Sequence, residues 1–248
     1  MLKEIVIAFQ SFEDARIFIR RNRLFRWILL PGLVYSVLFI TGMIFFWQSS
    51  NEVVSWMSQQ LGVENWLQKE RSEWLSFFFV MSGMMLRLVL VLFYFSLFKY
   101  VILIIGSPLF TYLSEKTEAI IDGREHQFVW ADIKKDAARG VRLALRNAGW
   151  QSVYLLALLL LSLIPFAGWV TPVIALFLES YYFGVSMLDY SLARNEFTLS
   201  QSIAFTGRHK GLSIGNGFLF YAMHILLVLA PAYAVIAATL SVHHVKNR

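Results

Sequence analysis

Arg20, Arg21, Arg23 and Arg26 crowd one short stretch of this chain, and immediately after them the sequence turns apolar. Arg23 and Arg26 are three residues apart, so on a helix they share a face. A guanidinium is always charged and presents a planar fork of N–H donors, which fits the oxygens of a carboxylate, phosphate or sulfate. Two readings of these arginines stand side by side. They hold a small anion, or they anchor the chain to lipid phosphates and set its orientation. A second candidate anion site lies at Gly106-Ser107-Pro108, where Ser107 suits a helix N-cap and Pro108 a first helical residue. The backbone amides beginning at Leu109 would then be free to bind negative charge.

Other ionisable residues stand in or beside apolar sequence. Arg87 lies near the middle of a long apolar run, where it either serves function or snorkels to an interface in a structural role. Glu179, Asp189 and His224 flank or enter later apolar segments and could pair with arginines. Lys135, Arg139, Arg142 and Arg146 recur at steps of four, three and four and so line one helical stripe. That stripe faces lipid head groups or solvent, or forms a funnel for anions. No chemistry of bond cleavage is written here: the chain lacks G-x-x-x-x-G-K-[S/T], H-E-x-x-H and G-x-S-x-G patterns and has no cysteine. His243 and His244 are adjacent, hence on different helix faces, and make a poor metal site. The expectation is a protein that is not an enzyme and uses no cofactor.

The elements that would position these residues are set by composition. Of 248 residues 58% are hydrophobic and 15% charged, and mean hydropathy is +0.59, which is too apolar for an ordinary soluble domain. The expected class is an all-α integral membrane protein. Residues 1–26 read as an amphipathic helix with Ile5, Phe9, Phe12, Arg16 and Ile19 on one stripe. Residues 27–47 and 75–105 read as transmembrane helices, since a hydrocarbon core of roughly 30 Å needs about 20 helical residues. Residues 107–150 read as amphipathic cytoplasmic helices. The segments 1–26 and 111–150 hold six and seven Lys/Arg, against two in the 48–74 connection, so the positive-inside rule puts both basic segments in the cytoplasm. The net charge of +6 needs no nucleic acid to explain it.

The remaining apolar sequence is interrupted at its centre. Val153 to Ile164 is too short to cross a bilayer, and Pro165, Gly168 and Pro172 separate it from a second apolar arm. The pattern returns between Phe218 and Val242, around Ala230-Pro231-Ala232. Paired interruptions of this kind predict two intramembrane hairpins, at 151–185 and 217–242. The alternative is a pair of proline-kinked full spans, which would put Arg194, Arg208 and Lys210 outside the cell.

Four segments carry a family resemblance: "RNRLFRWILLPGLV" (21–34), "GSPLFTYLSEKTEAIIDG" (106–123), "LIPFAGWVTPV" (163–173) and "MLDYSLARNEFTLSQSIAFTGRHK" (187–210). Together they resemble the CysZ family of bacterial sulfate permeases, which shares its domain with the eukaryotic etoposide-induced protein. The resemblance implies two long transmembrane helices plus two hemi-penetrating helical hairpins in a bacterial inner membrane; the charge bias puts both termini in the cytoplasm. It implies sulfate held by a Gly-hydrophobic-Arg-Arg segment, which maps onto Arg23, Leu24, Phe25 and Arg26. Leu24 and Arg26 match; Arg23 stands for the glycine and Phe25 for the first arginine. Family position also suggests Asp189 with Arg208 as a structural ion pair. The function implied is sulfate or oxyanion uptake without ATP hydrolysis. The alternative is a structural or lipid-organising protein of the same domain type. The partners expected are the oxyanion and membrane lipids, with room for a homo-oligomer.

Overall fold

The computed structural model describes residues 1–60, 73–124, 130–162, 164, 167–226 and 228–246, at some helical positions by backbone alone. Every regular element among the described residues is helical: α1 (Leu2–Arg21), α2 (Phe25–Gln60), α3 (Glu73–Ile121), α4 (Trp130–Ser162), α5 (Thr171–Arg194), α6 (Leu199–Arg208), α7 (Lys210–Ala222) and α8 (Ala230–Lys246). By length and composition, Phe25–Ser49, Ser96–Ile121 and Thr171–Arg194 can each cross a membrane. The protein is therefore a helical membrane protein. Residues 61–72 of the expected connection, with Lys69 and Arg71, lie outside the described residues, whereas 48–60 simply continue α2.

α1 is amphipathic, but its buried stripe is Ala8, Phe12, Ala15 and Ile19, flanked by Ile7 and Ser11. The expected stripe was rotated from this, for Phe9 is half exposed and Arg16 exposed. The physical reason is close packing against α7 and α8, where small side chains rather than the largest apolar ones mark the contact face. A methyl group added to Gly215 on α7 would lie only 2.7 Å from the Ala8 side chain. Glu4 fixes the start of α1 by accepting the Gly211 amide at 3.0 Å and meeting His209 Nδ1 at 2.8 Å.

α3 runs unbroken for 49 residues with Pro108 inside it, so the expected helix start at Ser107 is not there. Proline removes one amide, leaving the Ile104 carbonyl without its usual partner four residues on. Neighbouring helices close over this spot. Tyr190 donates its hydroxyl to the adjacent Leu103 carbonyl at 3.4 Å, and Ser107 donates to the Ala137 carbonyl at 3.0 Å. Packing outweighs one lost hydrogen bond, and the helix continues.

The interruption around Gly168 is a turn. α4 ends at Ser162, Ala167–Trp169 forms one turn of 3-10 helix, and α5 begins at Thr171 with Pro172 in its first turn. Gly168 lies against the Ser162 carbonyl, where an added Cβ would approach within 2.6 Å; its amide donates to the Ile164 carbonyl at 2.9 Å. Pro165 lies outside the described residues. Beyond the turn α4 and α5 run antiparallel, as the hydrogen bonds between Gln151 and Glu179 and between Asn147 and Ser186 show. A second antiparallel pair is α7 and α8, joined through the 3-10 turn Met223–Leu226, with Asn216 bonded to Ser241 at 3.2 Å. Its break falls earlier than the sequence suggests, and Pro231 is already the second residue of α8. The cytoplasmic helix expected to end near 150 and the apolar arm after it are one helix, α4.

α5 and α7 meet backbone to backbone. A Cβ on Gly184 would collide with the Ser213 carbonyl, and one on Gly217 with the Ser180 carbonyl. Ser180/Gly184 and Ser213/Gly217 are thus facing small-residue pairs, each four residues apart, the device that lets helices approach closely in lipid. Phe183 stacks on Phe220 at 3.8 Å beside them, and Tyr35 and Phe98 extend the aromatic cluster to α2 and α3. α8 is buried on nearly all sides from Ala230 to Val242.

Candidate functional site

The arginine segment forms the corner between α1 and α2. The Asn22 amide bonds to the Phe18 carbonyl and the Leu24 amide to the Ile19 carbonyl at 3.1 Å, while Arg23 between them has φ +54°. This is a Schellman turn, whose left-handed position favours glycine and whose next residue packs back onto the helix. Leu24 is that residue: it is buried, as is Ile19. Leu24 therefore anchors the corner. Arg23 occupies the position where the resemblance expects glycine, and its backbone conformation explains that expectation.

Arg23 and Arg26 both emerge exposed from this corner, and neither guanidinium has a carboxylate partner among the described residues. Phe25 turns instead toward an apolar slot that it shares with Ile28 and Leu226. Trp27 packs against Tyr112 with ring centroids 4.9 Å apart and the planes tilted by 41°, and Lys116 lies over the Trp27 ring at 4.6 Å. The corner thus gathers a third cation, from α3, which its sequence position did not suggest. Two exposed forks, with a half-buried ammonium held over the neighbouring Trp27 ring, can bind a multiply charged oxyanion through charge-assisted hydrogen bonds.

The other candidate residues are placed differently. Ser107 is fully buried and its hydroxyl serves Ala137; with α3 continuous through Leu109, the free amides that made this a second anion candidate do not exist. Asp189 does not pair with Arg208, which is exposed on α6. Its partner is Arg139, at 2.7 Å, and the same guanidinium donates to Ser202 and to the Phe197 carbonyl. Arg139 thereby ties α4 to the end of α5 and the start of α6. The rest of its stripe, Lys135, Arg142 and Arg146, is exposed. Lys135 and Arg142 line an open cavity of ≈ 840 Å³ together with Arg194, whose charge is met by Asp136 and Glu115. Arg87 is exposed on α3. The His224 side chain lies outside the described residues.

Glu179 is fully buried and does not pair with an arginine. It meets Lys99, itself 2% exposed, at 2.6 Å. Around this ion pair Lys99 donates to Gln151 Oε1 at 2.7 Å, Tyr100 donates to the same oxygen at 2.6 Å, Gln151 donates to Glu179, and Tyr221 donates to Glu179 at 2.8 Å. One satisfied network so joins α3, α4, α5 and α7. Lys99 is not among the residues that motif and spacing single out, although a lone lysine in an otherwise apolar stretch is itself a signal. Among the described residues no three His, Asp or Glu side chains converge as metal ligands would.

Comparison with known proteins agrees with this architecture. The chain is 28% identical over 174 residues to the sulfate transporter CysZ of Pseudomonas syringae pv. tomato, covering 67% of this chain and 68% of that protein. It is 27% identical over 175 residues to the protein of the same name from Pseudomonas aeruginosa, covering 68% and 70%. To that of Pseudomonas fluorescens it is 24% identical over 219 residues, covering 86% and 83%. The family described as "Sulfate transporter CysZ/Etoposide-induced protein 2.4" matches residues 11–238, nearly the whole chain, and the chain belongs to that family.

Proposed function

We propose that the chain is a permease of the bacterial inner membrane that carries sulfate or a related oxyanion for assimilation, without hydrolysing ATP itself. The observation that carries this reading is the pair of unmatched guanidinium groups, Arg23 and Arg26, at the corner where a surface helix turns into an apolar one. The buried or half-buried Lys99, Arg139, Arg194 and Lys116 each meet a carboxylate or an aromatic ring. Arg23 and Arg26 instead stand exposed where the apolar helix begins, open to a ligand. The names of the Pseudomonas relatives support sulfate as that ligand.

In this reading the α4/α5 and α7/α8 pairs are hemi-penetrating hairpins beside two long transmembrane helices, α2 and α3, with both termini in the cytoplasm. The charge distribution supports that orientation, since it keeps the basic segments on one side. Uptake of radioactive sulfate into proteoliposomes, with sulfite, selenate and phosphate as competitors, tests the function. No uptake of any oxyanion by folded protein would leave the structural or lipid-organising role instead. Topology is tested with single cysteines in this cysteine-free chain. Gln59→Cys should react with an impermeant external thiol reagent and Ser200→Cys should not; strong labelling at residue 200 would mean full crossings in place of the hairpins.

A further inference from the structure

An apolar slot of ≈ 360 Å³ opens beside the arginine corner, lined by Ile19, Phe25, Ile28, Met223, Leu226 and Tyr233, with Arg16 at its edge. Arg16 also belongs to a second, shallower depression of ≈ 640 Å³ on α1, with Arg20, Arg21, Glu13 and Ile17. The two therefore adjoin at Arg16. One is a basic shelf: three arginines against one carboxylate, all exposed and none ion-paired among the described residues. The other is an apolar groove whose outer wall, Phe25 and Leu226, is half exposed. Arg16 and Arg20 are four apart on α1 and project from the same face.

We infer that this shelf and slot form a binding site for one anionic phospholipid, its phosphate on Arg16, Arg20 and Arg21 and one acyl chain in the slot. Charge complementarity selects an anionic occupant, and apolar lining next to it selects an amphiphile over a free anion. The site explains Phe25. An arginine there would place a charge in the wall of an apolar groove, whereas a phenyl ring completes it. It is separate from the ligand proposed for Arg23 and Arg26, and it stands on its own geometry whether or not the chain transports sulfate.

The test is lipid retention by the full chain purified in detergent, read by native mass spectrometry after exposure to equal amounts of phosphatidylglycerol and phosphatidylcholine. Wild type should retain phosphatidylglycerol preferentially. Arg16→Ala with Arg20→Ala should reduce that preference by about fivefold for each arginine removed. Leu226→Trp, a filling substitution at a half-exposed position, should reduce retention of the lipid while leaving the arginines in place. Glycerol phosphate, which lacks acyl chains, should not displace the bound lipid. Equal retention of the two lipids, unchanged retention in Leu226→Trp, or displacement by glycerol phosphate would each overturn the proposal, the last by showing a site for a free anion. Melting temperature and monodispersity verify that each variant is folded. No transport is measured, so failure here is distinct from failure of the permease reading.

Discussion

The buried pair Lys99–Glu179 and the exposed pair Arg23/Arg26 are two ways of keeping charge in a membrane protein. Lys99 and Glu179 are matched to each other and surrounded by Gln151, Tyr100 and Tyr221, so no charge is left over. Arg23 and Arg26 have no ion-pair partner among the described residues, and the turn that presents them is held by backbone bonds and by Leu24 beneath. The first arrangement orders four helices. The second holds donors ready while contributing little to the fold. Charge alone therefore says little about a residue's role in this molecule; whether it is matched inside the fold separates a helix-ordering pair from an exposed one.

The contrast is tested most severely by breaking the match. Glu179→Gln leaves the Lys99 ammonium buried and uncompensated, and thermal unfolding in detergent should report a loss of about 3–5 kcal/mol. Replacing both partners, with Lys99→Met and Glu179→Leu together, should recover part of that loss because no lone charge remains. The opposite expectation holds at the corner. Arg26→Ala should leave the melting temperature nearly unchanged and weaken sulfate binding about thirtyfold, on the order of 2 kcal/mol of charge-assisted bonding, by calorimetry. Arg26→Lys should restore part of the affinity, since a point charge lacks the planar fork. Equal affinities in all three proteins would make Arg26 a membrane anchor.

Asp189 offers an intermediate case. Asp189→Asn removes the carboxylate that Arg139 leans on and should lower stability by about 2 kcal/mol, whereas Arg208→Ala should stay within about 0.5 kcal/mol of wild type. A large effect at Arg208 would revive the pairing suggested by family position. A small effect of opposite sign is expected at Arg23. Arg23→Gly relieves a left-handed backbone and should raise stability by about 1 kcal/mol. Any accompanying loss of sulfate affinity measures how much its side chain contributes beside Arg26.

Helical content, the amphipathic start and both interruptions were legible in the sequence because each follows from a local rule: apolar runs, periodicity, and proline with glycine. Three things were not. Pro108 with Ser107 before it reads as a helix start, and only the packing of Tyr190 and the Ala137 carbonyl against α3 decides otherwise. The partner of Asp189 is a matter of which helices touch; Arg139 is 50 residues away in sequence and Arg208 only 19, yet the nearer one faces outward. Lys99 was hidden by the hydrophobic residues on either side, which averaged its charge away. At the candidate site Arg23, Leu24 and Arg26 could be named in advance, but the buried role of Leu24 and the arrival of Lys116 are tertiary facts.

The facing Ser180/Gly184 and Ser213/Gly217 pairs bear on how the molecule can move. Two helices whose backbones touch at two places four residues apart cannot slide past one another without a carbonyl riding over a Cα. Sliding of α5 along α7 is therefore opposed by backbone, which cannot rotate aside as a side chain can. α2 is held differently: it meets the segment before α8 where Gly32 lies against the Val228 carbonyl, while Leu33, Val37, Ile40 and Ile44 along it are half exposed or more. α2 leaves α1 at the corner where Arg23 and Arg26 stand, and Gly32 is its first close contact beyond that corner. A substitution that adds a side chain at residue 32 would therefore be felt at the arginine corner through the direction of α2.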